Sequence, residues 1–261
     1  MNAFVRGGAD SVRDGLAVAH RNMIALRRVP RLLVFSTIQP IVFVLMFRYV
    51  FGGVVTRSVT GLPYVDFLMP GVFVQTAVFG AMNTAIGLAT DLQTGLMERF
   101  RSLPMARSAV LSGRTLADLA RNVLVVALMT AVGFAVGFRV HTSLVSFLAG
   151  ACLVLAFGFA MSWIFATLGL AVGDPETAQA AAFPVLAPLV FASAAFIPVS
   201  TMPGWLQAFA DHQPVSASAN AVRALMTGGP TASFVWQALA WDIGIIAAFA
   251  PLGIWFYRRA D

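Results

Sequence analysis

The side chains that can carry charge or act as nucleophiles are few in this chain and lie far apart. All seventeen basic residues are arginines. Without lysine the chain cannot complete a G-x-x-x-x-G-K-S/T phosphate loop, so it does not power itself by that chemistry. His20, His141 and His212 fall in three separate segments, which excludes a local zinc pattern such as H-E-x-x-H. No serine stands in a G-x-S-x-G elbow. Cys152 is the single cysteine, so neither an intramolecular disulfide nor a cysteine cluster can form. An enzymatic reading has no constellation to rest on. The chemistry that remains is electrostatic: charges inside long apolar runs, where each needs a partner. Asp242 lies nine residues into an apolar run at 233–257, and Arg48 lies near the end of another at 32–51. Asp242 suits either a cationic solute or a buried arginine such as Arg48, and these two residues are the candidate lining of a polar path. Asp118 and Arg121, close together at the start of a third run, read as a structural pair on one helix face.

The elements that must hold these charges are membrane helices. Apolar runs at 32–51, 67–90, 119–138, 144–172, 178–199 and 233–257 are each near or above the roughly 20 residues needed to cross a bilayer. Composition agrees, with 59% of residues apolar, 11% charged and a mean hydropathy of +0.83. No ordinary soluble domain has that balance. A length of 261 residues leaves little beyond one bundle, so the expectation is a single all-α integral membrane domain over 1–261. Within it, 1–31 form a cytoplasmic interfacial helix, 32–257 the bundle of six transmembrane helices, and 258–261 a cytoplasmic tail. The net charge of +6 does not point to nucleic acid, because the arginines flank apolar runs instead of filling a basic domain. Anionic lipid headgroups answer them better.

Orientation follows from sorting those arginines. Arg6, Arg13, Arg21, Arg27, Arg28 and Arg31 precede the first run. Arg99, Arg101, Arg107 and Arg114 lie between the second and third, with Arg121 just inside the third, and Arg258 and Arg259 follow the sixth. That makes thirteen of seventeen. Only Arg48, Arg57, Arg139 and Arg223 fall on the opposite side, so the positive-inside rule puts both termini in the cytoplasm. The connection at 173–177 carries Asp174 and Glu176 but no arginine, and acidic residues count little in that rule. No small-residue cleavage pattern accompanies the first run, so it is expected to stay attached.

Two segments outside the runs are amphipathic. Val12, Leu16, Ala19, Met23 and Leu26 recur at helical spacing with Arg13, Arg21 and Arg27 off that line, which predicts a helix lying on the inner leaflet or else a flexible basic tail. Residues 91–104 read DLQTGLMERFRSLP. There Leu92, Leu96, Phe100 and Leu103 share one helical face, and Gln93, Glu98, Arg99 and Arg101 lie elsewhere. Asp91 reads as the N-cap of this helix and Pro104 as its end. Such a helix either offers its charges to a cytosolic partner or lies solvated against lipid. Residues 198–232 make a long connection containing Pro198, Pro203, Pro214 and Pro230, too apolar for a disordered linker. Trp205, Leu206 and Phe209 form an apolar edge, which predicts short helices dipping into the outer interface, with Trp205 at headgroup level. Pro184, Pro188 and Pro251 are places for helices to kink or break. Gly133, Gly137, Gly150, Ala156, Gly158 and Gly169 permit close helix approach.

On two stretches, ERFRSLPMARSAVLSGR at 98–114 and FIPVSTMPGWLQAFADHQPVSASANAVRAL at 196–225, together with the amphipathic helix before the first span, the chain resembles the permease subunit of ABC-2 type transporters. Among these the resemblance is to the daunorubicin/doxorubicin-resistance type of bacterial exporters, and it covers nearly the whole chain. It implies that 91–104 is the coupling helix docking on an ATPase subunit, with Glu98, Arg99, Arg101, Leu103 and Pro104 at the contact. It also implies an outer re-entrant helical segment between spans five and six, carrying Pro203, Trp205, Phe209 and Pro214. Two ABC ATPase subunits would bind ATP and Mg, this chain would hold no cofactor or metal of its own, and a second permease copy, identical or related, would complete the path. The implied setting is the bacterial cytoplasmic membrane. The implied cargo is an amphipathic or hydrophobic drug or lipid moved outward, in keeping with mostly apolar and aromatic spans. A polysaccharide or glycolipid exporter is the alternative, although three tyrosines and five tryptophans give little material for aromatic rings along a wide channel. A secondary transporter independent of ATP is the remaining reading, and it lacks the two halves with paired broken helices that such proteins show.

Overall fold

The computed structural model describes residues 30–55, 61–95 and 107–259. The amphipathic segment at 12–26 and the residues Glu98, Arg99, Arg101, Leu103 and Pro104 lie outside them. Among the described residues all regular structure is helical. Helix α1 (Pro30–Leu45) continues through a π-helical stretch, Met46–Phe51, into a last turn at Gly52–Val55. Then come α2 (Tyr64–Gln93), α3 (Arg107–Val136), α4 (Leu144–Val172), α5 (Pro175–Phe191), α6 (Gly204–Asp211), α7 (Pro214–Thr227) and α8 (Thr231–Arg259). Of the described helices, Tyr64–Gln93, Leu144–Val172 and Thr231–Tyr257 are long and apolar enough to cross a membrane, and Ile38–Phe51 and Arg121–Val136 are shorter apolar stretches. α5 has 17 residues, or about 26 Å at the helical rise, a little under the roughly 30 Å hydrocarbon core. Length and hydropathy therefore support three of the six expected spans directly.

Local sequence explains where these helices begin and end. The hydroxyl of Ser143 accepts the Ser146 N–H at 3.2 Å at the start of α4, and Gly173, at φ 74°, closes its end. Asp174 caps α5, its Oδ2 accepting the Thr177 N–H at 2.8 Å and the Thr177 hydroxyl at 2.7 Å. Pro175 follows at the first helical position, where a missing N–H leaves nothing unpaired. Pro184, Pro188 and Pro251, the places expected to kink or break a helix, lie inside continuous helices, so none of them breaks its helix. Packed neighbours hold a helix through such residues when the surroundings offer no better hydrogen bonds. Asp91 is not an N-cap. α2 runs on to Gln93 and ends at Thr94 and Gly95, which leaves Asp91 inside its last turn, whereas a cap residue must stand outside the helix it starts.

α2 and α4 form the centre of the bundle, burying Leu68, Met69, Phe73, Phe157, Met161 and Phe165. Small residues set the spacing. Gly158 lies against Ala77 and Asn122, and Gly169 sits so near the Ala85 backbone that an added Cβ would collide with its carbonyl. Gly133 meets Met69 and Gly150 meets Met226. Gly137 serves another purpose, turning the chain after α3 at φ 104°. The tightest approach was not foreseen: a Cβ on Gly71 of α2 would overlap the backbone of Ala195. Phe47, at the end of the first rod, stacks on Phe196 with centroids 4.7 Å apart. α8 joins α4, where the Thr167 hydroxyl donates to the Phe249 carbonyl at 3.2 Å.

The 198–232 connection does contain short helices, but only one resembles a surface element. Trp205 on α6 is 76% exposed. α7 is wedged into the bundle, burying Pro214 through Ala219 together with Ala221, Val222, Ala224 and Met226. The end of the bundle holding α6 and α7 is here termed the capped end, and the opposite end is closed by Leu88, Leu170 and Tyr257.

Candidate functional site

Asp242 stands eleven residues after Thr231 in α8, about 16 Å along the helix axis. It shares a face with Ala238 and Ile245, both buried. The rest of α8 turns outward, exposing Trp236, Trp241, Ile243, Leu252 and Trp255. The carboxyl group therefore lies on the packed stripe of an otherwise exposed helix. Asp242 is 4% exposed, and neither of its oxygens has a hydrogen-bond partner. A buried carboxylate without a partner is costly, and proteins keep one chiefly where something else comes to meet it.

Arg48 is not that partner. It sits in the π-helical stretch, with Nη2 3.5 Å from the position a Cβ would take on Gly137 and its guanidinium 5.7 Å from the Tyr49 ring centre. The reason is the packing order: α1 lies on α2 and α3, whereas α8 lies on α4 and α7. The two charges weighed together from the sequence are thus held by different neighbours.

The capped end carries a polar network that the sequence reading did not single out. Asp66, 1% exposed, is in the first turn of α2, where a carboxylate suits the helix dipole. Its Oδ1 accepts the Arg139 N–H at 2.8 Å and its Oδ2 is 2.8 Å from His141 Nε2. The His141 N–H donates to the Met226 carbonyl at 3.0 Å, and the Thr142 hydroxyl donates to the Leu225 carbonyl at 2.6 Å. The α3–α4 connection is thereby tied to α2 and α7 at once. Arg223 of α7 forks across the irregular stretch after α5. Its Nε donates to the Phe67 carbonyl at 3.1 Å, its Nη2 to the Ala194 carbonyl at 2.8 Å and its Nη1 to Asn220 Oδ1 at 2.7 Å. The guanidinium lies 3.7 Å from the Phe67 ring centre. Tyr64 donates its hydroxyl to the Phe196 carbonyl at 3.0 Å, and Gln213 Nε2 reaches the Leu189 and Ala192 carbonyls at 2.9 Å each. Backbone groups that would be orphaned where α5 ends are satisfied by side chains of α7 and α2.

The other expected site residues divide. Pro203 precedes α6, Trp205 and Phe209 are exposed along it, and Pro214 opens α7 and is buried. Arg121, expected beside Asp118, sends Nη2 to the Gly80 carbonyl at 2.8 Å and so ties α3 to α2. Among the described residues no group of three or more His, Cys, Asp or Glu side chains is placed to hold a metal ion. What the arrangement offers is a closed polar clasp at one end and a lone carboxyl group part-way down.

Comparison with known proteins adds the family. The ABC-2 type transporter family model matches residues 15–227. The daunorubicin resistance ABC transporter permease protein DrrB1 of Streptomyces coeruleorubidus is 38% identical over 255 residues, which is 97% of this chain and 89% of that protein. The probable doxorubicin resistance ABC transporter permease protein DrrC of Mycobacterium tuberculosis is 31% identical over 230 residues, covering 87% of this chain and 81% of its own. The doxorubicin resistance ABC transporter permease protein DrrB of the same organism is 26% identical over 272 residues, with coverage of 97% and 89%. An all-helical apolar bundle matched over most of its length in this way belongs to the ABC-2 type transporters, as a permease subunit.

Proposed function

We propose that this permease exports amphipathic, drug-like compounds carrying a positive charge, and that Asp242 meets that charge during passage. The observation that carries the reading is the Asp242 carboxyl group, buried in α8 with both oxygens unpartnered. An apolar bundle with one such group complements a cargo that is mostly apolar with a single cationic point. Relatives named for daunorubicin and doxorubicin resistance support a drug-like cargo. A lipid cargo would share the apolar part of this recognition.

Energy comes from outside the chain, which has no lysine for a phosphate loop. Two ABC ATPase subunits bind ATP and Mg, and Glu98, Arg99, Arg101, Leu103 and Pro104 form the surface that docks on one of them. A second permease copy, identical or related, encloses the path from the other side. Closure of the ATPase pair on ATP pushes both docking surfaces and tilts the bundles, turning a path open to the cytoplasm or inner leaflet outward. The capped end then faces out of a bacterial cytoplasmic membrane, with both termini inside.

The test compares efflux of one cationic and one neutral dye in cells carrying the permease and its ATPase, for wild type and Asp242→Asn. Removal of the charge is expected to depress export of the cationic dye while the neutral dye, protein level and ATPase assembly hold. Equal loss for both dyes would show that Asp242 serves the structure and not the cargo.

A further inference from the structure

Among the described residues, the clasp at the capped end leaves two cations over. Asp66, His141 and Arg223 bond inward, but Arg48 and Arg139 both reach the turn made by Gly137. Arg48 arrives from the π-helical stretch with Nη2 against the Gly137 backbone. Its Nε is buried without a hydrogen-bond partner, which leaves a partly desolvated guanidinium short of an acceptor. Arg139, exposed, lies two residues past Gly137 and donates Nη1 to the Phe134 carbonyl at 3.4 Å and the Phe138 carbonyl at 3.0 Å. Both of those carbonyls belong to its own turn. The nearby carboxylate of Asp66 is committed to the Arg139 N–H and to His141, so it neutralises neither guanidinium. Glycine at 137 suits the φ of 104° that makes this turn, and Arg48 Nη2 lies at ordinary contact distance from the place of an added Cβ.

Below the two cations the surface is apolar. α1 and α3 pack side by side, and Val42, Leu45 and Tyr49 on one rod and Leu128 and Phe134 on the other are exposed. Two guanidiniums at one turn above apolar faces of two adjacent helices match a phosphate carried on acyl chains. We propose that Arg48 and Arg139 hold the phosphate of an anionic phospholipid headgroup at the capped end, with its acyl chains along α1 and α3. This site is separate from Asp242 and does not depend on which way the bundle faces.

The test uses the purified transporter, permease with its ATPase, in a neutral detergent. Its melting temperature is followed while phosphatidylglycerol, phosphatidylcholine or inorganic phosphate is added. Phosphatidylglycerol is expected to raise it at concentrations where the other two do not. In the Arg48→Gln, Arg139→Gln double variant the apparent affinity for phosphatidylglycerol should fall about twenty-five-fold, about fivefold for each arginine. Arg259→Gln, at the opposite end, should leave it unchanged. If the double variant does not fold, Arg139→Gln alone carries the test, because that side chain bonds only its own turn, and the fivefold loss is still required. Unchanged phosphatidylglycerol affinity in the variants, or an equal response to phosphatidylcholine, would overturn the proposal. A response to inorganic phosphate alone would overturn it as well, since the site would then take a free anion and not a lipid.

Discussion

Gly71 has the least room of any described glycine, because an added Cβ would overlap the backbone of Ala195. That backbone cannot yield easily, since Arg223 and Ser216 hold the Ala194 carbonyl and N–H on either side. Gly71→Ala is therefore expected to destabilise the protein by about 1–3 kcal/mol, the usual cost of overpacking. Gly244→Ala, inside α8 at a position with nothing within 4 Å, should be neutral or stabilising by up to about 1 kcal/mol, and melting of the two detergent-solubilised variants checks both. If Gly71→Ala melted like wild type, α2 and the Ala195 stretch would lie farther apart than described here. Residues of this kind are hard to read from a sequence. Asp242 was legible because a carboxylate inside an apolar run is conspicuous, but its lack of a partner depends on which helices face α8. Asp66 and Arg223 passed unmarked because their partners, Arg139 and Phe67, are 73 and 156 residues away, and one of those partners is a backbone carbonyl that no side-chain pattern announces.

Helix ends are set by residues next to one another in the chain, helix neighbours by residues far apart in it. At the start of α5, Thr177 donates through its hydroxyl and its backbone N–H to Asp174, and these bonds hold the Asp174 carboxyl below its ordinary pKa. A carboxylate whose pKa is lowered by folding stabilises the fold fully above the ordinary value of about 3.9 and loses that contribution progressively as pH falls from there through the lowered value. Acidification from pH 6 to about pH 3 should therefore lower the melting temperature of wild type more than that of Asp174→Asn, whose amide caps without titrating. Identical acid limbs would remove the cap from the pH dependence. Pro184, Pro188 and Pro251 do not break α5 or α8, because propensity speaks for the isolated helix and packing overrides it. The same limit applies at Asp91, which belongs to α2. The proposed docking surface is centred on Glu98 and Arg101, after the end of α2. Reversing either charge, Glu98→Arg or Arg101→Glu, should leave the permease inserted but uncouple ATP hydrolysis from efflux, because an unpaired charge at a partly buried contact costs about 2 kcal/mol or more. Normal efflux by both single variants would mean that the ATPase docks elsewhere.

The distribution of arginine reaches the whole molecule, and it can be tested as such. Arg48, Arg139 and Arg223 all meet the capped end, at the Gly137 turn, beside Asp66 and across Phe67 respectively. With Arg57 they are the four that the thirteen-to-four split assigns to the outer side. Three arginines widely separated in sequence therefore gather at one end of the fold, as a bundle inserted by the positive-inside rule requires. The rule then predicts that the capped end faces outward and residues 91–107 face the cytoplasm. Single cysteines at Ser200 and Ser102, in a Cys152→Ser background, report the two sides. Ser200 is chosen because it is exposed beside α6, whereas Ser218 is buried in α7 and would escape any reagent. In intact cells a membrane-impermeant thiol reagent should label position 200 at once and position 102 only after the membrane is opened. Labelling of 102 with sparing of 200 would invert the bundle, placing the Asp66–His141 clasp in the cytoplasm and leaving the docking surface on the wrong side for an ATPase.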